Sequence, residues 1–200
     1  MNPEFKLGVT GGIGSGKTSV CRVFNVLGIP VFSADETAKE IMESDPVITE
    51  KVNIIAGRNM YAGGGLDRDA LAGLIFNNRE LLVKINNVVH PVVREKFVKW
   101  SEQQESGYII LEAAILFESG TYKILDRILT VITPLEERIE RVMKRNYLTR
   151  EQVLDRIRNQ SDDDFKISRS DYIVNNSDDD MIIPAIVKIH NDIIEYLNKG

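Results

Sequence analysis

The chain has 200 residues, a hydrophobic fraction of 43%, an aromatic fraction of 7% and a net charge of −5. Its length suits one domain with inserted lobes, and its apolar content supports a proper core. The acidic balance excludes broad attraction to nucleic acid, the single Cys21 excludes an internal disulfide, and no stretch is long enough to span a membrane.

The first residues, Met1-Asn2-Pro3-Glu4, carry no basic segment leading into a long apolar run, so a cytoplasmic protein is expected. The apolar run Phe5–Thr10 then reads as a strand. Gly11-Gly12-Ile13-Gly14-Ser15-Gly16-Lys17-Thr18 follows it and fits the phosphate-loop pattern G-x-x-x-x-G-K-[ST], set between a strand and a helix. Each residue type has a chemical reason. The glycines let the backbone curl so that N–H groups face phosphate oxygens. Lys17 reaches the outer phosphates, and the Thr18 hydroxyl suits a Mg²⁺ ligand. Gly12, Ile13, Gly14, Ser15, Gly16, Lys17 and Thr18 therefore form the candidate nucleotide site. Cys21, one turn beyond Lys17, reads as a small packed residue.

Val20, Val23, Phe24 and Leu27 share one helical stripe, with Gly28 as its stop. Further strands are expected over Pro30–Ser33, Tyr108–Glu112, Arg127–Thr133 and Asp171–Asn175. They are rich in Val and Ile without clean alternation, as strands covered on both faces are. Ile182, Ile186, Ile189, Ile193 and Tyr196 mark a last helix, preceded by Asp178-Asp179-Asp180. Alternating strands and helices predict an α/β fold with a parallel sheet and right-handed crossovers. The spacing is uneven. Asp35 to Tyr108 is far too long for one connection and looks helical, which predicts a lobe carried on the sheet. The charged stretch Pro134–Ser170 reads as a lid. The predicted division is a core of about 5–34, 106–134 and 170–198, a helical acceptor lobe of about 36–105 and a lid of about 135–169.

Asp35 follows the second strand, and ligands of parallel sheets sit outside the carboxyl ends of strands. It can orient an acceptor hydroxyl and take its proton, or it can cap a helix starting near Glu36. A carboxylate is a weak base at neutral pH, so orientation is the larger part of the first role. Glu112 closes the third strand, as the second acidic element of phosphate-loop proteins does, or as any strand can end in a charge. Glu118 is a further candidate for the cleft wall. Arg138, Arg141 and Arg145 share a helix face. They can clamp phosphates, or they can form a solvated face laced with Glu136, Glu137 and Glu140. His90-Pro91 reads as a helix start or a packing feature.

In this order the features resemble the dephospho-CoA kinase family, from about Lys6 to about Tyr196. The markers are Thr10–Thr18, Ser33-Ala34-Asp35-Glu36-Thr37-Ala38-Lys39, Leu66-Asp67-Arg68-Asp69-Ala70-Leu71, Ile75-Phe76, His90-Pro91, Ala114-Ile115-Leu116-Phe117-Glu118, Arg141 with Arg145, Gln160 and Asp171–Asn176. The resemblance implies ATP-dependent phosphorylation of the ribose 3′-hydroxyl of dephospho-CoA, the last step of coenzyme A synthesis. It implies a P-loop kinase core with a five-stranded parallel sheet, a CoA-binding helical lobe and a lid. Asp35 matches the catalytic aspartate, and Arg141 and Arg145 match the lid arginines. Lys17 joins them as the fourth catalytic candidate. Asn175 matches a position near the ATP base. Asp35, Lys39, His90 and Glu118 make up the candidate acceptor-binding set. ATP and Mg²⁺ are the expected cofactors and dephospho-CoA the partner, with no nucleic acid and no membrane. The oligomeric state is left open.

The chain departs from the family pattern in places. Ser33 stands where the family usually has the first Asp of Asp-Ala-Asp, and Ala114 and Glu112 replace a Pro and an Asp. Lys39 stands where Arg is common, and it keeps the charge but not the bidentate fork. Two other readings use the same loop. One is a kinase for a nucleoside or nucleotide, which should lack this succession of markers. The other is a nucleotide-dependent switch, but the guanine-reading run Asn-Lys-x-Asp is not present.

Overall fold

The computed structural model describes residues 3–76 and 78–199, with Phe76 described by its backbone alone. The Met1-Asn2 part of the leader reading and the Phe76 side chain lie outside the described residues. Five parallel strands form one sheet in the order β2-β3-β1-β4-β5: β1 (Phe5–Thr10), β2 (Val31–Ser33), β3 (Tyr108–Glu112), β4 (Arg127–Ile132) and β5 (Tyr172–Asn175). β1 lies at the centre, with Val9 opposite Glu112 on β3 and Leu129 on β4. From Leu7 to Thr10 its residues are buried on both faces of the sheet, which is why the strand reads as an unbroken apolar run. The edge strands β2 and β5 are the shortest, with three and four residues.

The chain divides into two compact units, Met1–Ser33 with Lys99–Gly200, and Ala34–Val98. In the first, α1 (Lys17–Val26) and α9 (Ile182–Leu197) cover the sheet. Val20 and Phe24 of α1 and Ile186, Ile189 and Ile193 of α9 pack with Leu7, Val9, Ile110, Leu129 and Val174. Tyr196, the last member of the predicted stripe, is half exposed and lies edge-on to Phe5. The Tyr108 hydroxyl, fully buried, bonds His190 Nδ1 at 2.8 Å and ties β3 to α9. The charged stretch after β4 holds α6 (Leu135–Asn146), α7 (Arg150–Arg158) and α8 (Asp163–Ile167). Ile139 and Val142 of α6 pack with Val153 of α7.

The second unit holds α2 (Ala34–Ser44), α3 (Pro46–Ala56), α4 (Arg68–Phe76) and most of α5 (Arg79–Ser101). Among the described residues no strand lies between Ser33 and Tyr108, as the spacing predicts. Asp45 caps α3 by accepting from the Val47 and Ile48 amides, and Pro46 takes the first helical position, where its missing N–H costs nothing. Glu43 of α2 pairs with Arg68 of α4 at 2.8 Å. Two local expectations are corrected. α2 begins at Ala34 rather than near Glu36, so Asp35 lies inside the first turn and is not its cap. His90-Pro91 does not start a helix either, because Pro91 lies inside the 23-residue α5. There it withholds the N–H that the Asn87 carbonyl would otherwise accept.

Leu7 is fully buried at the centre of the sheet. Leu7→Ala is expected to lower the unfolding free energy by about 3 kcal/mol in urea denaturation. A loss below about 1 kcal/mol would mean that β1 is not the packed centre.

Candidate active site

β1 ends at Thr10, and the chain curls before it enters α1. Gly14 and Gly16 have φ of 82° and 85°, the left-handed region that a side chain disfavours. Gly16 is the residue before α1, and no side chain caps that helix end. An uncapped helix N-terminus suits an anion. The Lys17 ammonium folds back into the loop and donates to the Gly11 and Gly12 carbonyls at 3.1 and 3.4 Å. Lys17 is buried, an arrangement that a positive charge accepts only where oxygens surround it.

The next residue reaches across to β3. The Thr18 hydroxyl donates to Glu112 Oε1 at 3.3 Å. Glu112 closes β3 beside Val9 of β1 and Ser33 of β2. These two hard oxygens fit Mg²⁺, which keeps waters and substrate phosphates as its other ligands and needs few protein donors. Among the described residues no cluster of three or more His, Cys, Asp or Glu could hold a metal alone. Cys21 is packed in the core, and its thiol is pushed far above its usual range by burial first and by the Glu112 charge second. It is the packed residue the sequence suggests.

The loop is held by residues far away in the chain. Ile13 N–H donates to Gln160 Oε1 at 2.9 Å, and the Ile13 carbonyl accepts from Arg138 Nε at 3.1 Å. Arg138 Nη1 pairs with Asp163 at 2.9 Å, and a Cβ on Gly12 would collide with the guanidinium. Ser15 is held the same way. Its carbonyl accepts from Asn176 Nδ2 at 2.8 Å and lies 3.0 Å from the Thr133 hydroxyl. A Cβ on Gly16 would strike Asn176 Nδ2. Glycine at positions 12 and 16 thus makes room for residues behind the loop.

The three arginines of α6 part company. Arg138 is buried under the loop. Arg141 is half buried and donates to the Asn176 carbonyl at 2.9 Å, to Glu137 at 3.1 Å and to Asp178 at 2.5 Å. Arg145 is exposed and donates to Asn146 at 3.0 Å. Asn175 ends β5 and is exposed, next to the Asn176 that grips the loop. Glu118 accepts the Ser161 N–H at 2.5 Å, just ahead of α8. Lys166 of α8 is fully buried and donates to the Ser161 carbonyl. Burial pushes its ammonium below the usual range, against the pull of Glu118 and Asp163.

Asp35, Lys39 and His90 belong to the other unit. Asp35 is half buried in the first turn of α2, two residues past the end of β2. Lys39 is exposed about one turn later, and His90 is half buried within α5. Sequence alone assigns no role to Gln160 or Asn176, and leaves Arg138 between a phosphate clamp and a solvated face. Their service is to backbone atoms, and a bond from a side chain to a distant backbone group leaves no pattern in sequence. The nearest signal is the placing of Arg138 beside Ile139 and Val142, on the apolar side of α6.

The dephospho-CoA kinase family model matches residues 5–181. A dephospho-CoA kinase of Bacteroides fragilis (strain YCH46) is 38% identical over 185 residues, which span 92% of this chain and 90% of that protein. A crystal structure from Thermus thermophilus superposes with a TM-score of 0.81 at 33% identity, covering 98% of this chain and 99% of that one. A dephospho-CoA kinase structure from Campylobacter jejuni gives a TM-score of 0.67 at 27% identity, covering 94% and 96%. The five-stranded parallel sheet, the phosphate loop at the end of its central strand and these likenesses agree: the chain belongs to the dephospho-CoA kinase family.

Proposed function

We propose that this chain transfers the γ-phosphoryl group of ATP to the ribose 3′-hydroxyl of dephospho-CoA, giving coenzyme A and ADP, with the loop, Asp35, Arg141 and Arg145 as its working parts. The reading is supported by the phosphate loop, into which Lys17 folds and from which Thr18 reaches Glu112, in a chain of this family. Loop amides and Lys17 bind and orient the outer phosphates. Asp35 accepts the hydrogen bond of the acceptor hydroxyl and aligns its oxygen with the γ-phosphorus. As the new O–P bond forms, the bond to the ADP oxygen breaks and the hydroxyl proton passes to Asp35. Most of the catalysis on this scheme is positioning and charge stabilisation, which suits a weak base. Arg141 and Arg145 neutralise phosphate charge and exclude water as a lid. For Arg141 this means leaving Glu137 and Asp178. Thr18 and Glu112 would hold Mg²⁺, which when bound screens the charge on the phosphates. Lys39, His90 and Glu118 belong to the acceptor side of the proposal, and Asn175 to the ATP base. The setting is cytoplasmic.

Incubation with ATP, Mg²⁺ and dephospho-CoA is expected to place the new phosphate on the ribose 3′-oxygen, as read by phosphorus NMR of the product. Transfer to a nucleoside with none to dephospho-CoA would overturn the proposal. Asp35→Ala is expected to lower kcat about 100-fold or more and leave the KM for ATP within about two-fold. Lys17→Ala should instead cut kcat/KM for ATP by about 100-fold. Near-normal turnover in either variant would remove that residue from the mechanism. Glu112→Gln is expected to raise the Mg²⁺ concentration for half-maximal activity about ten-fold, and an unchanged titration would take Glu112 out of the metal site.

A further inference from the structure

Ile13 is gripped at both of its backbone groups by two elements outside the loop. Its carbonyl takes Arg138 Nε of α6, and its N–H gives to Gln160, which follows α7. Its side chain packs against Ile139, Val142 and Val153, the small core between the same two helices. The gripping groups are themselves fixed. Arg138 is 5% exposed and paired with Asp163. The residue after Gln160, Ser161, is pinned by Glu118 at its N–H and by Lys166 at its carbonyl. The Ile13 N–H is committed to Gln160 and so withdrawn from the amides that can face an anion. The Ser15 N–H is likewise spent on the Gly12 carbonyl at 3.1 Å, which leaves the other loop amides to do so.

We propose that Arg138 and Gln160 are positioning residues. They set the curl of the phosphate loop through Ile13, and so the alignment of the ATP phosphates, without touching the nucleotide. The assignment rests on the ATP-binding reading of the loop. It separates Arg138 from Arg141 and Arg145, although the three share a helix face. The two grips depend on each other, because a loop released at one end no longer presents the other group in place.

The test is fluorescence binding of the ATP analogue mant-ATP, alongside steady-state kinetics, with Arg138→Ala, Gln160→Ala, the double variant and Arg138→Gln. Each alanine variant is expected to weaken mant-ATP binding and raise the KM for ATP about ten-fold, with the KM for dephospho-CoA within about two-fold. The double variant is expected to lose much less than the product of the single losses. Arg138→Gln is informative because its Nε2 stands as many bonds from Cα as Arg Nε does. It keeps a donor for the Ile13 carbonyl while losing the Asp163 pair, and is expected to recover to within about three-fold of wild type. Should Arg138→Ala fail to fold, Gln160→Ala and Arg138→Gln still decide the matter. Unchanged mant-ATP affinity in a folded Gln160→Ala protein would overturn the proposal. So would a fall in kcat with the KM for ATP unmoved, or strictly multiplicative losses in the double variant. If wild type binds mant-ATP but leaves dephospho-CoA unphosphorylated, the acceptor reading fails while the binding arm still tests the grip.

Discussion

A loop made largely of glycine cannot hold its own shape. The freedom that lets its backbone curl around phosphates also lets it take many other forms, so the curl must be imposed by neighbours. Here the neighbours act on backbone atoms: Lys17 on the Gly11 and Gly12 carbonyls, Arg138 and Gln160 on Ile13, and Thr133 and Asn176 on Ser15. The glycines have a second use in this arrangement. At Gly12 and Gly16 the missing Cβ is where the guanidinium of Arg138 and the amide of Asn176 come in. The same residues that make the loop pliable make it reachable from behind.

The sheet order decides which residues can do this. β1 is central, with β3 and β4 on either side and β5 beyond β4. All strands run the same way, so the residues that close them gather at one edge. Glu112 ends β3 and meets Thr18 there, Thr133 follows β4, and Asn176 follows β5. The carboxylate that meets Thr18 and two of the loop's supports thus come from the ends of β3, β4 and β5, and the helices α6 to α8, inserted between β4 and β5, supply the rest.

What could be read from sequence follows from the range of the interaction. The five strands, the parallel sheet and the α1 and α9 stripes rest on local apolar patterning, and each appears where expected to within a residue or two. The phosphate loop is also local, since its chemistry is written in eight consecutive residues. Local reasoning failed where a neighbour's contribution outweighed a dipeptide preference. Of the two readings of His90-Pro91, a helix start or a packing feature, the first falls because the long α5 runs through Pro91, and α2 begins at Ala34 ahead of the expected cap. That Gln160, Asn176 and Arg138 support the loop has no local signal, for a different reason. Gln160 lies 147 positions from Ile13 and Asn176 lies 161 from Ser15. Only the folded topology brings such pairs together.

Those separations bear on how the molecule comes into being. β1 is made before the other four strands, yet the strands that flank it arrive about a hundred residues later, and the last support of its loop only with Asn176. While the chain is emerging, the glycine-rich turn is an unformed tether. Contacts so remote in the chain are slow to close. The cradle for a triphosphate is therefore completed only once β5 has emerged, and a ribosome stalled before β5 would leave a chain with the whole motif but without the Asn176 grip on Ser15.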